Sequence, residues 1–421
     1  MFKKNLIAMA LPLMLATAGA QATNLYDNEG TKIDFTGSIR LMMENSDSRD
    51  QYNPGKDSTQ LKDQDSRFGF SFDHAFNQGQ AHGIGYLEFG NDTQKGEGDF
   101  EMANRQGWAG FRMDGVGDLT FGRVTSPFDD MARSDFTYEY GGAMGFGAYN
   151  GGFIGRTGGG SGTGEDEFIA RVSNTIRVMS ADFNGFSFGG TYTLQTEEDE
   201  NAAGLQNAYT LAAFYNFSTD NLDMYVGAGY GYSELDQNGS SLVGENDVTD
   251  DNKPNYTNVT NGNINDGEDG TEQIWGLAGK LTHKPTNLSF AIDVGQIFMD
   301  NVMSGDVGYD GSQNADKALF YVGDTATVNL LGLGVKWAYD GDNSIYGGYY
   351  LKDADDELYN WKEQKYVIGT DYYFTKNVVV WGEYAYINAE SEKWTDSNNV
   401  KHDFATVGDD NRIAAGMRIY F

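Results

Sequence analysis

The sequence predicts an all-β fold: a transmembrane antiparallel β-barrel of sixteen strands with one long loop folded inward. Three observations predict it. Segments of about ten residues alternate between apolar and polar side chains, the pattern of strands with lipid on one face and water on the other. Short turns alternate with long polar loops, as they must when successive strands run up and down one wall. The chain also stops on an alternating strand, at Phe421. Free termini usually fray, so an apolar last residue makes sense if that strand pairs with the first and closes the barrel.

Taken in order, the one long apolar run is 6–20; it follows Lys3 and Lys4 and ends in Ala20-Gln21-Ala22. That is the layout of a secretory signal peptide cleaved near Ala22, too short to span a bilayer as a helix. A single barrel domain is expected over 23–421. Its first alternation puts Ile33, Phe35, Ile39, Leu41 and Met43 on one parity, with Asp34, Thr36, Ser38 and Arg40 on the other. A polar loop runs to Asp65. The second strand sets Phe68, Phe70 and Phe72 against Arg67, Ser71 and Asp73. A turn at 77–79 leads to a third strand ending near Phe89, a polar loop (91–101), a fourth strand with Arg105, a turn at 114–117 and a fifth strand at 119–124. Beyond the long loop, eleven more strands are readable near 168–180, 186–196, 208–217, 222–233, 273–283, 288–299, 327–339, 345–352, 364–374, 378–388 and 411–421.

The long loop, about 125–165, has no sustained period. It carries Asp129, Asp130, Asp135 and Glu139 and then a glycine-aromatic mixture from Tyr140 to Phe153. Loops of this length are functional or disordered, and disordered segments are poor in aromatics. A folded loop that packs inside the barrel and narrows it is therefore expected.

The formal charge of −33 argues against nucleic acid or acidic partners, and most of these acids read as a solvated surface. Absent cysteine removes disulfide scaffolds and cysteine-ligated metal sites. The acidic stretch 236–272 lacks calcium-loop spacing. His74, His82, His283 and His402 sit in no catalytic signature. No cofactor, metal or enzymatic activity is expected.

The mature start at 25–37 (LYDNEGTKIDFTG), Ser66–Phe70, 83–89, 105–112, 116–123, Tyr138-Glu-Tyr-Gly-Gly142 and the terminal Phe421 together resemble the general, non-specific porins of Gram-negative outer membranes, the trimeric sixteen-stranded kind. The resemblance implies passive diffusion of ions and small hydrophilic solutes, a homotrimer, contact with outer-membrane lipid and lipopolysaccharide, and a third loop that forms a constriction with an acidic loop face and a basic wall. By position, Asp135 and Glu139 match the loop acids, and Arg67 and Arg105 the wall. Arg156, Arg171 and Arg177 compete for a third wall position, with Arg156 preferred. Ala143 stands where the family has a further acid. Ser38 stands where a basic residue is often found, with Arg40 two positions on and inward-facing. Glu97 and Glu101 resemble acids of the second loop that latch onto a neighbouring subunit, with Arg123 as their partner. Trp108 and Phe111 lie near the family's trimer interface, or face lipid.

Acids opposite guanidiniums leave a field across a narrow aqueous neck, which small polar solutes cross and bulky apolar ones do not. Each wall arginine could instead be an ordinary lumenal ion pair, and each loop acid a cap for N–H groups within the loop. A modest cation preference is expected, screened within about 8 Å at physiological ionic strength. The alternatives are a barrel-displayed surface adhesin or a substrate-specific channel.

Overall fold

The computed structural model describes residues 22–46, 58–91, 102–142, 168–194, 204–236, 270–300, 325–356, 360–391, 394–395, 401–402 and 408–421. The leader, Glu97, Glu101, Arg156, the second half of the long loop and most of the acidic stretches 236–272 and 300–326 lie outside these residues.

The strands are β1 (Thr23–Asn28), β2 (Thr31–Ser46), β3 (Ser58–Asp63), β4 (Arg67–Phe76), β5 (Ala81–Asn91), β6 (Met102–Met113), β7 (Gly117–Thr125), β8 (Arg171–Ser180), β9 (Phe186–Thr193) and β10 (Gly204–Ser218). They continue as β11 (Leu222–Asp236), β12 (Gly270–His283), β13 (Leu288–Asp300), β14 (Thr325–Asp340), β15 (Asn343–Asp356), β16 (Asn360–Thr375), β17 (Val378–Ser391), β18 (Trp394–Thr395), β19 (Lys401–His402) and β20 (Gly408–Tyr420). All but β18 and β19, which pair with each other, form one antiparallel sheet.

The sheet closes on itself through β2. Its first half pairs with β4, from Thr31 opposite His74 to Ser38 opposite Arg67. Its second half pairs with β20, from Ser38 opposite Tyr420 to Ser46 opposite Arg412. β1 lies beside the first half and prolongs the line of β20; β3 lies beside the second half and prolongs the line of β4. The result is a closed barrel of sixteen staves, as the sequence predicts. Phe421 seals the seam. It exchanges backbone hydrogen bonds with Gly37 (2.7 and 3.0 Å) and stacks on Phe35 at 5.3 Å.

Local chemistry sets the ends of the staves. The β8–β9 connection turns on Asn184 and Gly185, both at positive φ, which matches the right-handed twist of a two-residue hairpin. The polar start expected before β2 folds as β1, and the polar loop before Asp65 contains β3. The strand expected from 168 begins at Arg171, because Phe168 and Ile169 turn inward and are buried against Gly231.

Burial is inverted relative to a water-soluble domain. Arg105, Arg177, Asp293, Asp371 and Glu383 are buried, while Leu211, Phe290, Ile368 and Ile413 are more than half exposed. The outer face is thus an apolar belt suited to lipid, and the polar parity points inward. Trp108 departs from the simple alternation. A bulge between Glu88 and Phe89 shifts the register of β6, and Trp108 lies opposite Tyr86 on the inner face, with ring centroids 6.0 Å apart. Phe111 stays outside, exposed.

Candidate functional site

The contacts of residues 126–142 progress round the barrel from β10 to β2, with Asp130 reaching back to Arg177 of β8 (3.9 Å) and Phe136 to Lys280 of β12 (5.2 Å). Ser126 bonds Thr210 of β10 (3.1 Å). Phe128 and Met131 lie over Gly229 and Gly227 of β11, where a Cβ would come within 2.7 and 2.8 Å of them. Tyr225 of β11 donates to the Met131 carbonyl (2.9 Å), and the Arg133 guanidinium covers the same ring at 4.1 Å. Asp293 of β13 then accepts from the N–H groups of Arg133 and Ser134 and from the Ser134 hydroxyl. At Gly334 of β14 a Cβ would fall 2.0 Å from the Ser134 oxygen, and Tyr350 of β15 donates to that oxygen (3.3 Å).

The segment ends on a second carboxylate clasp. Glu383 of β17 accepts the N–H groups of Tyr138, Glu139 and Tyr140. The Tyr138 ring stacks on Trp381 (5.3 Å, interplanar angle 8°), and its hydroxyl reaches Asp371 and Tyr373 of β16. Tyr140 donates to Glu44 of β2 (3.1 Å), which also pairs with Lys62. Two carboxylates, at Asp293 and Glu383, therefore satisfy five backbone N–H groups of a segment with no secondary structure of its own. Charge-assisted bonds of this kind are roughly twice as strong as neutral ones.

The arginines collect elsewhere. Arg105 bonds Glu88 (3.1 Å) and Asp65 (3.0 Å), and Arg67 stands 3.7 Å from Asp65 and 4.0 Å from Glu88. Arg40 donates to Ser38 (2.8 Å). Asp65, at a positive φ of 69°, sits in the break between β3 and β4. Two guanidiniums, those of Arg67 and Arg105, thus share two carboxylates. Arg171 acts with Arg105 on Asp129, whereas Arg177 is buried 3.9 Å from Asp130 at the root of the loop.

The expected acids differ in setting. Asp135 caps within the loop, accepting from the N–H and hydroxyl of Thr137 (2.8 Å each). Glu139 accepts from Gln64 (2.9 Å). Burial pushes both carboxyls up, against the Thr137 bonds in one case and the Gln64 bond in the other. Burial also pushes Asp129 up to about 7, helped by the adjacent Asp130 and opposed by Arg171 and Arg105. Arg123 is half-buried on β7 and donates to the Arg105 carbonyl (3.1 Å); its expected latch acids lie outside the described residues. Asp293, Glu383, Gln64 and Arg418 escaped the sequence reading. The inward parity of Arg418 on the last strand was the one available signal, while the other three are recognisable only by what they hold.

The sequence profile of the Gram-negative porin family matches residues 8–392. The major outer membrane protein of Pasteurella multocida is 27% identical over 249 residues, 57% of this chain and 63% of that protein, so the chain spans less than two thirds of the length of that relative. Outer membrane protein YedS of Escherichia coli is 24% identical over the full length of both. Among solved structures, the trimer form of OmpT, an outer membrane protein of Vibrio cholerae, superposes with a TM-score of 0.60 at 15% identity, covering 93% of this chain and 100% of that one. The closed barrel, its polar inner face and the profile match agree: this chain belongs to the Gram-negative porin family.

Proposed function

We propose that the protein is an outer-membrane diffusion channel for ions and small hydrophilic solutes. In this reading residues 126–142 fold into the barrel and narrow it, with loop acids on one side and the arginines of β2, β4 and β6 on the other. The run of contacts from β10 to β2, made to buried residues such as Asp293, Tyr350 and Glu383, supports the reading. Glu139 supplies loop charge to the neck, and Asp129 and Asp130 add to it. Asp135, tied to Thr137, acts mainly by shaping the loop. We assign the third basic wall position to Arg171, whose charge, like that of Arg105, acts on Asp129. Preference for cations is modest, because the arginine wall opposes the loop acids, although Asp65 and Glu88 neutralise part of that wall.

The outer face supports a homotrimer. Tyrosine and tryptophan settle at the two membrane–water interfaces. Tyr192, Trp275, Trp337, Tyr366, Tyr372 and Tyr384 do so on β9 through β17. From β20 round to β8 the exposed large side chains are Ile, Leu, Met, Val and Phe, with Tyr26 of β1 the exception among the described residues. An apolar arc without interfacial aromatics fits a protein neighbour better than lipid, and a trimer is the form recorded for OmpT of Vibrio cholerae.

The test is single-channel recording of the purified protein in a planar bilayer, with a reversal potential in a KCl gradient. Stepwise openings that close in thirds, with mild cation preference, are expected. A folded barrel that conducts nothing, or prefers anions, overturns the reading.

A further inference from the structure

The closing strand contributes an arginine that touches the loop itself. Arg418 lies directly opposite Arg40 in the β2–β20 ladder. Like charges placed opposite one another destabilise a sheet, so Arg418 must find compensation on its lumenal side. It does so on the loop. Its Nε donates to Gln64 Oε1 (2.9 Å) and its Nη2 to the Tyr138 carbonyl (2.8 Å). The guanidinium lies 4.6 Å over the Tyr138 ring, which also stacks on Trp381 and packs on Tyr346. Gln64 completes the bridge. With its oxygen fixed by Arg418, its Nε2 donates to the Tyr138 carbonyl (2.6 Å) and to Glu139 Oε2 (2.9 Å). The backbone N–H of Gln64 is anchored on the Arg40 carbonyl (2.9 Å).

We infer that Arg418 is a positioning residue for ion selectivity: acting through Gln64 and Tyr138, it holds the Glu139 carboxyl at a fixed place in the neck. The inference rests on the reading of residues 126–142 as the constriction. It predicts a sign that plain electrostatics does not. A guanidinium acting only as a positive lumenal charge would, on removal, raise cation preference. A guanidinium that positions Glu139 would, on removal, weaken what Glu139 contributes. Lysine separates the two, since it keeps the charge but cannot donate to Gln64 and Tyr138 together while covering the ring.

The experiment is a double-mutant cycle in planar bilayers on the full barrel, with folding checked by heat-modifiable gel mobility. Reversal potentials are measured for the wild type, Glu139→Gln, Arg418→Lys and the double variant. Hydrogen exchange over residues 126–142 is measured alongside. Glu139→Gln should lower cation preference in the wild-type background and lose at least about half of that effect in Arg418→Lys, the non-additivity expected of residues in one hydrogen-bonded network. Amides 138–140 should exchange about tenfold faster in Arg418→Lys while barrel amides keep their protection. Equal effects of Glu139→Gln in both backgrounds, with unchanged exchange, overturn the inference and leave the constriction reading standing. No effect of Glu139→Gln in the wild-type background overturns the constriction reading and the inference with it. Should Arg418→Lys fail to fold, Gln64→Leu cuts the same bridge and is judged by the same two outcomes.

Discussion

In the proposed constriction the wall from β10 to β17 is covered by chain and that from β2 to β8 is lined by guanidiniums; the two arcs use their carboxylates in opposite ways. On the covered arc, Asp293 and Glu383 accept backbone N–H groups and Gly227, Gly229 and Gly334 clear the space into which the segment settles. On the arginine arc, Asp65 and Glu88 accept from side chains of their own wall and, among the described residues, hold no backbone of 126–142. The same residue type is a fastener on one side and a partial counter-charge on the other. A count of lumenal charges would miss this, because fastened carboxylates are already spent on the loop and contribute less to the field felt by a passing ion.

The largest expected effect comes from filling the groove. Gly334→Leu should displace the segment at Ser134, since overpacking costs about 1–3 kcal/mol, and give the greatest rise in single-channel conductance. Conductance equal to wild type would show that Ser134 yields without moving the neck. Next comes unfastening. Glu383→Ala removes the acceptor of three N–H groups, where charged hydrogen bonds are worth about 1.5–3 kcal/mol each, and should increase open-channel noise and exchange at amides 138–140. Quiet channels with protected amides would mean that Trp381 stacking alone holds the segment. On the other arc, Arg67→Ala with Arg105→Ala should raise cation preference and admit larger solutes in a liposome-swelling assay without mobilising the loop. A change in loop exchange there would break the comparison. The smallest effect is the titration of one acid. Asp129 is charged above about pH 7 and neutral below it, so cation preference should decline as pH falls through that value. A reversal potential flat across it would place Asp129 off the ion path.

The barrel was legible because lipid and water impose the period of two on every stave, and Arg40 and Arg67 lie on the inward parity of their strands, whereas Arg105 was placed by the family resemblance. Trp108 could not be placed by parity, since the bulge after Glu88 flips the parity of β6 partway along and nothing in the local sequence announces it. Asp293 and Glu383 were illegible for another reason. Each looks like any inward acid, and its role is set by a segment 159 or more positions earlier in the chain. For Asp135 the sequence left two readings open, and the hydrogen bonds from Thr137 favour the capping one.

The seam between Gly37 and Phe421 has a kinetic consequence. The contact that converts an open, curling sheet into a barrel joins two residues separated by nearly the whole chain, and such distant pairings form slowly because closure entropy is lost before any contact rewards it. Until the last residue is in place, the edges of β2 and β20 present unpaired backbone donors and acceptors that any other extended chain could occupy. Folding of this protein is therefore expected to end in a late step, with an aggregation-prone sheet as the species that precedes it.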